Sequence, residues 1–220
     1  MRDLVELQGQ AALGAALVAR ALPGQVVEVT VARETLQVTR EGGVVIGSIV
    51  EYADAWAAAV VARDTLTERG LREVSLTLLA NSKAVTDLYQ VELRDALQCV
   101  VSDPPRCLAS VGRGRDLLKQ ATIAKKPLLV IDGALFDAIE ALASNATTAF
   151  EDHLYESLKA HAKFWGSKAE AIGPYGWVAM RQLALTCIAR DRGIEIAIES
   201  EYLPRALIEQ TCSNEPRLYE

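Results

Sequence analysis

Apolar residues recur at helical spacing from Asp3 to Leu22, where Leu4, Leu7, Ala11, Leu13, Ala15, Leu17, Val18 and Leu22 approximate one stripe, and Pro23-Gly24 stops the run. The period then changes. Gln25–Val31 and Glu34–Thr39 alternate apolar and polar positions, and a third run, Val44–Ile49, follows Gly42-Gly43. A period of two with β-branched enrichment predicts a small antiparallel meander over 24–50. Helical spacing returns from Tyr52 to Glu68, with Ala53, Trp56, Ala57, Val60 and Val61 on one face, and a further helix is predicted from Leu71 to about Leu79, where strand is the rival reading.

The middle of the chain continues in the same mode. Val85, Leu88, Tyr89, Leu93 and Leu97 predict a helix over Ala84–Val101, which Asp103-Pro104-Pro105 breaks. Pro127–Ala143 and Thr147–Trp165 read as helices, the second amphipathic through Phe150, Leu154, Leu158, His161 and Trp165. Gly173-Pro174 separates it from Trp177–Ala189, which is apolar all round and so belongs at the centre of the fold. Gly193 ends that helix, Ile194–Glu199 alternates as an exposed-face strand would, and Leu203-Pro204 to Glu209 is a short closing helix. No internal repeat is visible. The expected architecture is mainly α, a single helical domain over 1–220 with a small antiparallel β element near the N-terminus.

Composition narrows the function classes. Half of the 220 residues are apolar, which is enough for a sizeable core and excludes intrinsic disorder. With 23 Lys and Arg against 29 Asp and Glu the net charge is −6, so the chain lacks the basic face a nucleic-acid binder needs, and a basic partner suits it better. The apolar stretch Ala11–Leu22 is interrupted by Arg20, follows an acidic start, and is roughly half a bilayer span. A cytoplasmic protein with no membrane partner is therefore expected.

Charge is unevenly placed. Arg106–Lys126 holds six bases (Arg106, Arg113, Arg115, Lys119, Lys125, Lys126) against Asp116, and is read as a solvated connector whose cations pair with acids elsewhere, with an anion contact as the rival. Residues 191–220 hold seven acids against three bases. There, Asp191, Glu195, Glu199, Glu201 and Tyr202 are candidate residues for binding a basic protein, the carboxylates for electrostatic capture and the tyrosine as an aromatic anchor.

Chemical motifs are weak. The chain has no Walker loop, nucleophile elbow or H-E-x-x-H, and Gly112-Arg113-Gly114 reads as a turn before it reads as a phosphate cradle. Cys99, Cys107, Cys187 and Cys212 show no metal-ligand spacing, and Cys187 sits in an apolar run as a core residue. His153 and His161 share a helix face with Ser157, but the apolar neighbours Leu154, Leu158 and Trp165 make His161 a hydrogen-bonded packing residue. Asp132, Glu156 and Lys159 recombine into a nuclease-like set only on paper, since Glu156 and Lys159 have the spacing of a surface ion pair. Neither a catalytic residue, a metal ligand nor a cofactor is expected.

Four blocks near the C-terminus carry a family pattern: His161–Trp165, Gly176–Met180, Leu183–Gly193 and Ile196–Arg205, the last containing Glu199-Ser200-Glu201-Tyr202-Leu203-Pro204-Arg205. In order and spacing they resemble the immunity protein 49 family of bacterial polymorphic toxin systems, best over 146–209, with Trp56 and Ala59–Asp64 similar to that family's tryptophan-containing helix. The resemblance implies a mainly helical, non-catalytic protein that binds and neutralises a cognate toxin domain by stoichiometric occlusion. Two rivals stand beside it: a hydrolase that reverses a toxin's modification through Asp152, His153 or Asp191, and an interaction module without a toxin. Trp56, Trp177 and the N-terminal helix are candidates for a homodimer contact.

Overall fold

Helical periodicity is realised along most of the chain. A computed structural model describes residues 2–32, 34–41, 48–75, 86–167 and 176–209. Helix α1 spans Arg2–Arg20, and strands β1 (Val26–Val31) and β2 (Glu34–Thr39) pair antiparallel with Val29 opposite Leu36. The hairpin lies on α1: a Cβ at Gly14 would come within 2.3 Å of Val29 Cγ1, and the Ala32 N–H donates to Gln10 Oε1 at 2.9 Å. Of the expected third run, 44–47 lie outside the described residues, and Ile49 belongs to a helix.

That helix, α2 (Ile49–Ala62), begins earlier and ends sooner than its hydrophobic pattern suggests. The Ser48 hydroxyl accepts the Glu51 N–H while the Glu51 carboxylate accepts the Ser48 N–H, a reciprocal cap. Arg63 then takes a left-handed φ of 57°, and the Asp64 carboxylate caps α3 (Thr65–Arg72) by accepting from the Thr67 N–H. Tyr52–Glu68 is thus two helices. No helix begins at Leu71 as expected: Leu71 and Arg72 are the last residues of α3, 73–75 are not helical, and the rest of the expected span, 76–79, lies outside the described residues.

Helix α4 occupies Tyr89–Cys99, shorter than expected; Ala84 and Val85 lie outside the described residues. The basic stretch is no connector over most of its length. Asp103 accepts from the Arg106 N–H and Pro104 and Pro105 occupy the first turn, so the prolines open α5 (Pro104–Leu118) as well as closing the segment before it. Its three arginines pair with acids on other elements as expected, Arg106 with Asp95, Arg113 with Glu92 at 2.8 Å, and Arg115 with Asp137 and Glu140, each at 2.5 Å, whereas Lys119 pairs with Asp116 of the same stretch at 2.9 Å.

Helices α6 (Lys126–Ala143) and α7 (Thr147–Trp165) match their expected spans closely, and α8 (Met180–Asp191) starts three residues late, leaving Trp177 exposed. A last turn, α9, covers Arg205–Ile208. Helices α4 to α7 form successive antiparallel neighbours, tied by Glu92 to Arg113, by Gly114 beneath Phe136, and by the Ser157 hydroxyl donating to the Ile131 carbonyl. By contrast α2 and α8 run parallel, since Asp54 meets Arg181 near their starts and Arg63 meets Asp191 at their ends.

The core gathers around this parallel pair. Six alanines of α2 (Ala53, Ala55, Ala57, Ala58, Ala59, Ala62) are buried, letting neighbours approach its backbone closely from several sides. Residues 182–189 of α8 are buried without interruption, and Cys187 is one of them, as its apolar setting predicts. Trp56 is sealed in the same core, its indole N–H donating to Glu68 Oε1 at 2.7 Å, and it offers no surface for a homodimer.

Candidate functional site

The chain after α8 builds the most distinctive surface. Gly193 takes φ +80°, a conformation glycine adopts without a Cβ penalty, and its N–H donates to the Arg190 carbonyl at 2.8 Å. This reverses the chain into Ile194–Ser200, a strap that runs without turn or bend. Burial alternates along it. Ile194, Ile196, Ile198 and Ser200 are half-buried, the three isoleucines against the core, whereas Glu195, Ala197 and Glu199 are exposed, as is Glu201 beyond them. The strand expected at Ile194–Glu199 is not formed, because no neighbouring chain pairs with it among the described residues. A period of two requires an extended backbone, and the ladder needs a partner as well.

The strap is fastened at both ends and once in the middle. Ile194 donates to the Ala189 carbonyl at 3.0 Å, and Ala197 to Glu151 Oε1 of α7 at 2.7 Å. At the far end the Tyr202 carbonyl accepts the Ala179 N–H at 3.1 Å, and its ring meets His161 edge-on, with centroids 5.1 Å apart. His161 is buried and hydrogen-bonds the Gly176 carbonyl through Nε2 at 3.1 Å, so it is the packing residue its neighbours predict. Burial lowers its pKa, partly offset by that carbonyl. Gly176 lies so close to Trp165 that a Cβ there would come within 2.6 Å of the Trp165 Cβ.

Between the strap, the end of α8 and α9 opens a groove of about 860 Å³, whose wall includes Thr186, Arg190, Ile194, Ile198, Arg205 and Ile208. Its charged rim is mixed, with Glu199, Glu201 and Glu209 beside Arg190 and Arg205. Glu199 lies 4.0 Å from Arg205, which in turn binds Glu209 at 2.5 Å and holds that carboxylate below its usual range. The five candidate residues therefore divide. Glu195, Glu199 and Glu201 stand outward on the strap, Tyr202 is half-buried as its anchor, and Asp191 is tied to Arg63 Nη2 at 3.1 Å. Arg190, Arg205 and Glu209 complete the rim; Arg190 and Arg205 lie inside the C-terminal blocks but were not singled out as binding residues, and Glu209 falls outside every motif.

The catalytic candidates do not assemble. Asp132 is buried among Tyr89, whose hydroxyl donates to Oδ2 at 2.7 Å, and Arg181, 3.4 Å from Oδ1; Arg181 also reaches Asp54 at 2.7 Å. Burial raises the Asp132 pKa against the pull of Arg181 and Tyr89. This network joins α2, α4, α6 and α8 and is closed on itself. Glu156 and Lys159 pair with each other at 3.3 Å on the surface of α7. Asp152, His153 and Asp191 make no hydrogen bond to one another among the described residues, and Gly112-Arg113-Gly114 is helical, with Gly114 against Phe136. Among those residues there is no group of three or more His, Cys, Asp or Glu able to hold a metal ion, and no helix long and apolar enough to cross a membrane.

A family model described as Immunity protein 49 matches residues 2–207 of the chain, nearly the whole of the structure from α1 to α9. The chain belongs to the immunity protein 49 family. In this family member three of the four C-terminal blocks meet around His161, with His161–Trp165 closing α7, Gly176 beneath Trp165 and Tyr202 against the His161 ring, and the fourth, Leu183–Gly193, forms most of α8 and leads through Gly193 into the strap. The resemblance read from the sequence is thus carried by the framework that supports the acidic strap. Comparison with curated proteins and with solved structures returns no match.

Proposed function

We propose that this immunity protein neutralises a cognate bacterial polymorphic toxin by binding it one-to-one and covering its working surface, without turnover and within the cytoplasm of the producing cell. The observation that carries the reading is the outward acidic face of the strap, Glu195, Glu199 and Glu201, mounted on the framework that the family match covers. A toxin that works on nucleic acid or nucleotides presents a basic site, and these carboxylates complement it as phosphates would. A contact of standard size buries about 1,600 Å² in total, more than the strap alone supplies, so α8, α9 and the groove rim belong to it as well.

The test is titration. A purified toxin domain encoded beside this chain's gene should lose activity linearly with added immunity protein and reach zero at one equivalent. Protection by a small fraction of an equivalent, growing with time, points instead to an enzyme and overturns the reading.

A further inference from the structure

The strap alternates in burial as a β-strand does, but among the described residues it has no paired neighbour. It runs without turn or bend, its side chains alternate in burial, and among the described residues the N–H and C=O groups of Ile196 and Ile198 make no hydrogen bond. Ala197, between them, directs its N–H at Glu151 on α7. Main-chain groups of successive residues in an extended chain point to opposite edges, so the groups of Ile196 and Ile198 face the edge away from α7. A free edge of this kind is a template for another chain, and a helix or a rigid loop cannot satisfy it.

We propose that Ile196 and Ile198 form the docking edge for one extended strand of the toxin, which lies along the strap, takes up their N–H and C=O groups, and sets Lys or Arg at alternate positions opposite Glu195 and Glu199. Cross-strand pairing of opposite charges on the solvent face fixes the register. On the other face the incoming strand presents smaller apolar side chains to the groove beside Ile194, Ile198 and Ile208. The occupant is a toxin strand, not a second copy of this chain, because the outward residues of the strap are acidic and a second strap would set glutamate against glutamate. The inference rests on the toxin-binding reading and deepens it.

The experiment is amide hydrogen exchange, followed by NMR on the ¹⁵N-labelled full chain, alone and saturated with the toxin domain encoded beside its gene. Exchange at Ile196 and Ile198 should be fast in the dilute free chain and slow by at least about tenfold in the complex. A one-to-one complex in which both amides exchange as in the free chain overturns the docking edge and leaves toxin binding standing. Slow exchange at both amides in the dilute free chain also overturns it, since the edge is then filled by the chain itself. Failure to form any complex overturns both readings.

Discussion

Arg63 and Asp191, 128 positions apart, close the ends of α2 and α8 with a single contact, Nη2 to Oδ1 at 3.1 Å. The guanidinium is buried, with 5% of its side chain exposed, while Asp191 keeps 43%. Arg63 also lies within hydrogen-bond reach of the carbonyls of Val61, Leu207 and Ile208, so one side chain fastens α2 to both α8 and α9. A buried guanidinium needs its carboxylate more than a half-exposed carboxylate needs it. Asp191→Asn should therefore lower unfolding stability by about 1–3 kcal/mol in urea titrations. An unchanged midpoint would free Asp191 for a purely surface role.

The polar network around Arg181 sets up a sharper contrast with pH. Arg181→Met leaves Asp54 and Asp132 without their shared cation, at a cost of about 3–5 kcal/mol near neutrality. Burial already raises the Asp132 pKa in the folded chain, so its protonated form is the one folding favours, and removing Arg181 strengthens that preference. Stability from such a group is present at low pH and is lost as pH rises through the folded pKa. The variant should thus recover part of its deficit near pH 5, measured by thermal unfolding; an equal deficit at both pH values contradicts the arrangement.

His161 acts in the opposite sense. Its folded pKa lies below the ordinary histidine value because burial disfavours the cation. Above about pH 6.5 the ring is neutral folded or unfolded; below it the unfolded chain binds the proton first, and stability falls with pH. His161→Gln keeps a donor for the Gly176 carbonyl and removes the titration. Denaturant midpoints between about pH 5 and pH 7.5 should therefore slope less in the variant than in the parent.

Helix spacing is testable at Gly114. A Cβ there would lie 2.3 Å from Phe136 Cζ, at the contact of α5 with α6. Gly114→Ala should cost about 1–3 kcal/mol, as overpacking does, and Phe136→Leu added to it should recover part of the loss. Additive losses in the double variant would mean that the two positions do not touch.

For the toxin, charge reversal separates steering from packing. Glu195→Lys with Glu199→Lys leaves the half-buried isoleucines in place and should slow association by about tenfold at low salt, with the difference shrinking as salt rises. Stopped-flow mixing with the purified toxin domain reads this directly. An unaltered rate would place the contact elsewhere.

Local rules made much of the fold legible. Helices α6 and α7 follow from apolar spacing bounded by Pro127 and by the break at Ser144–Ala146, and β1 with β2 from alternation across a short turn. Other boundaries were written in the sequence as caps outside the hydrophobic pattern: Ser48 with Glu51, Asp64 before Thr65, and Asp103 before its two prolines each start a helix. Periodicity alone passes over such signals, because a cap is one side chain bonding one turn of backbone.

The sequence by itself determined the helical class, the family likeness and the clustering of acids after Asp191, since these depend on residue type and short spacing. Tertiary structure alone decided what those acids do. Asp191 became a tie because Arg63 arrives from another helix, Tyr202 an anchor because His161 stands beneath it, and Ile194–Ser200 a strap and not a strand because its isoleucines pack on the core while, among the described residues, no chain pairs along its edge. An extended segment has the same alternation with or without a neighbour, so the neighbour is information that only the folded chain holds.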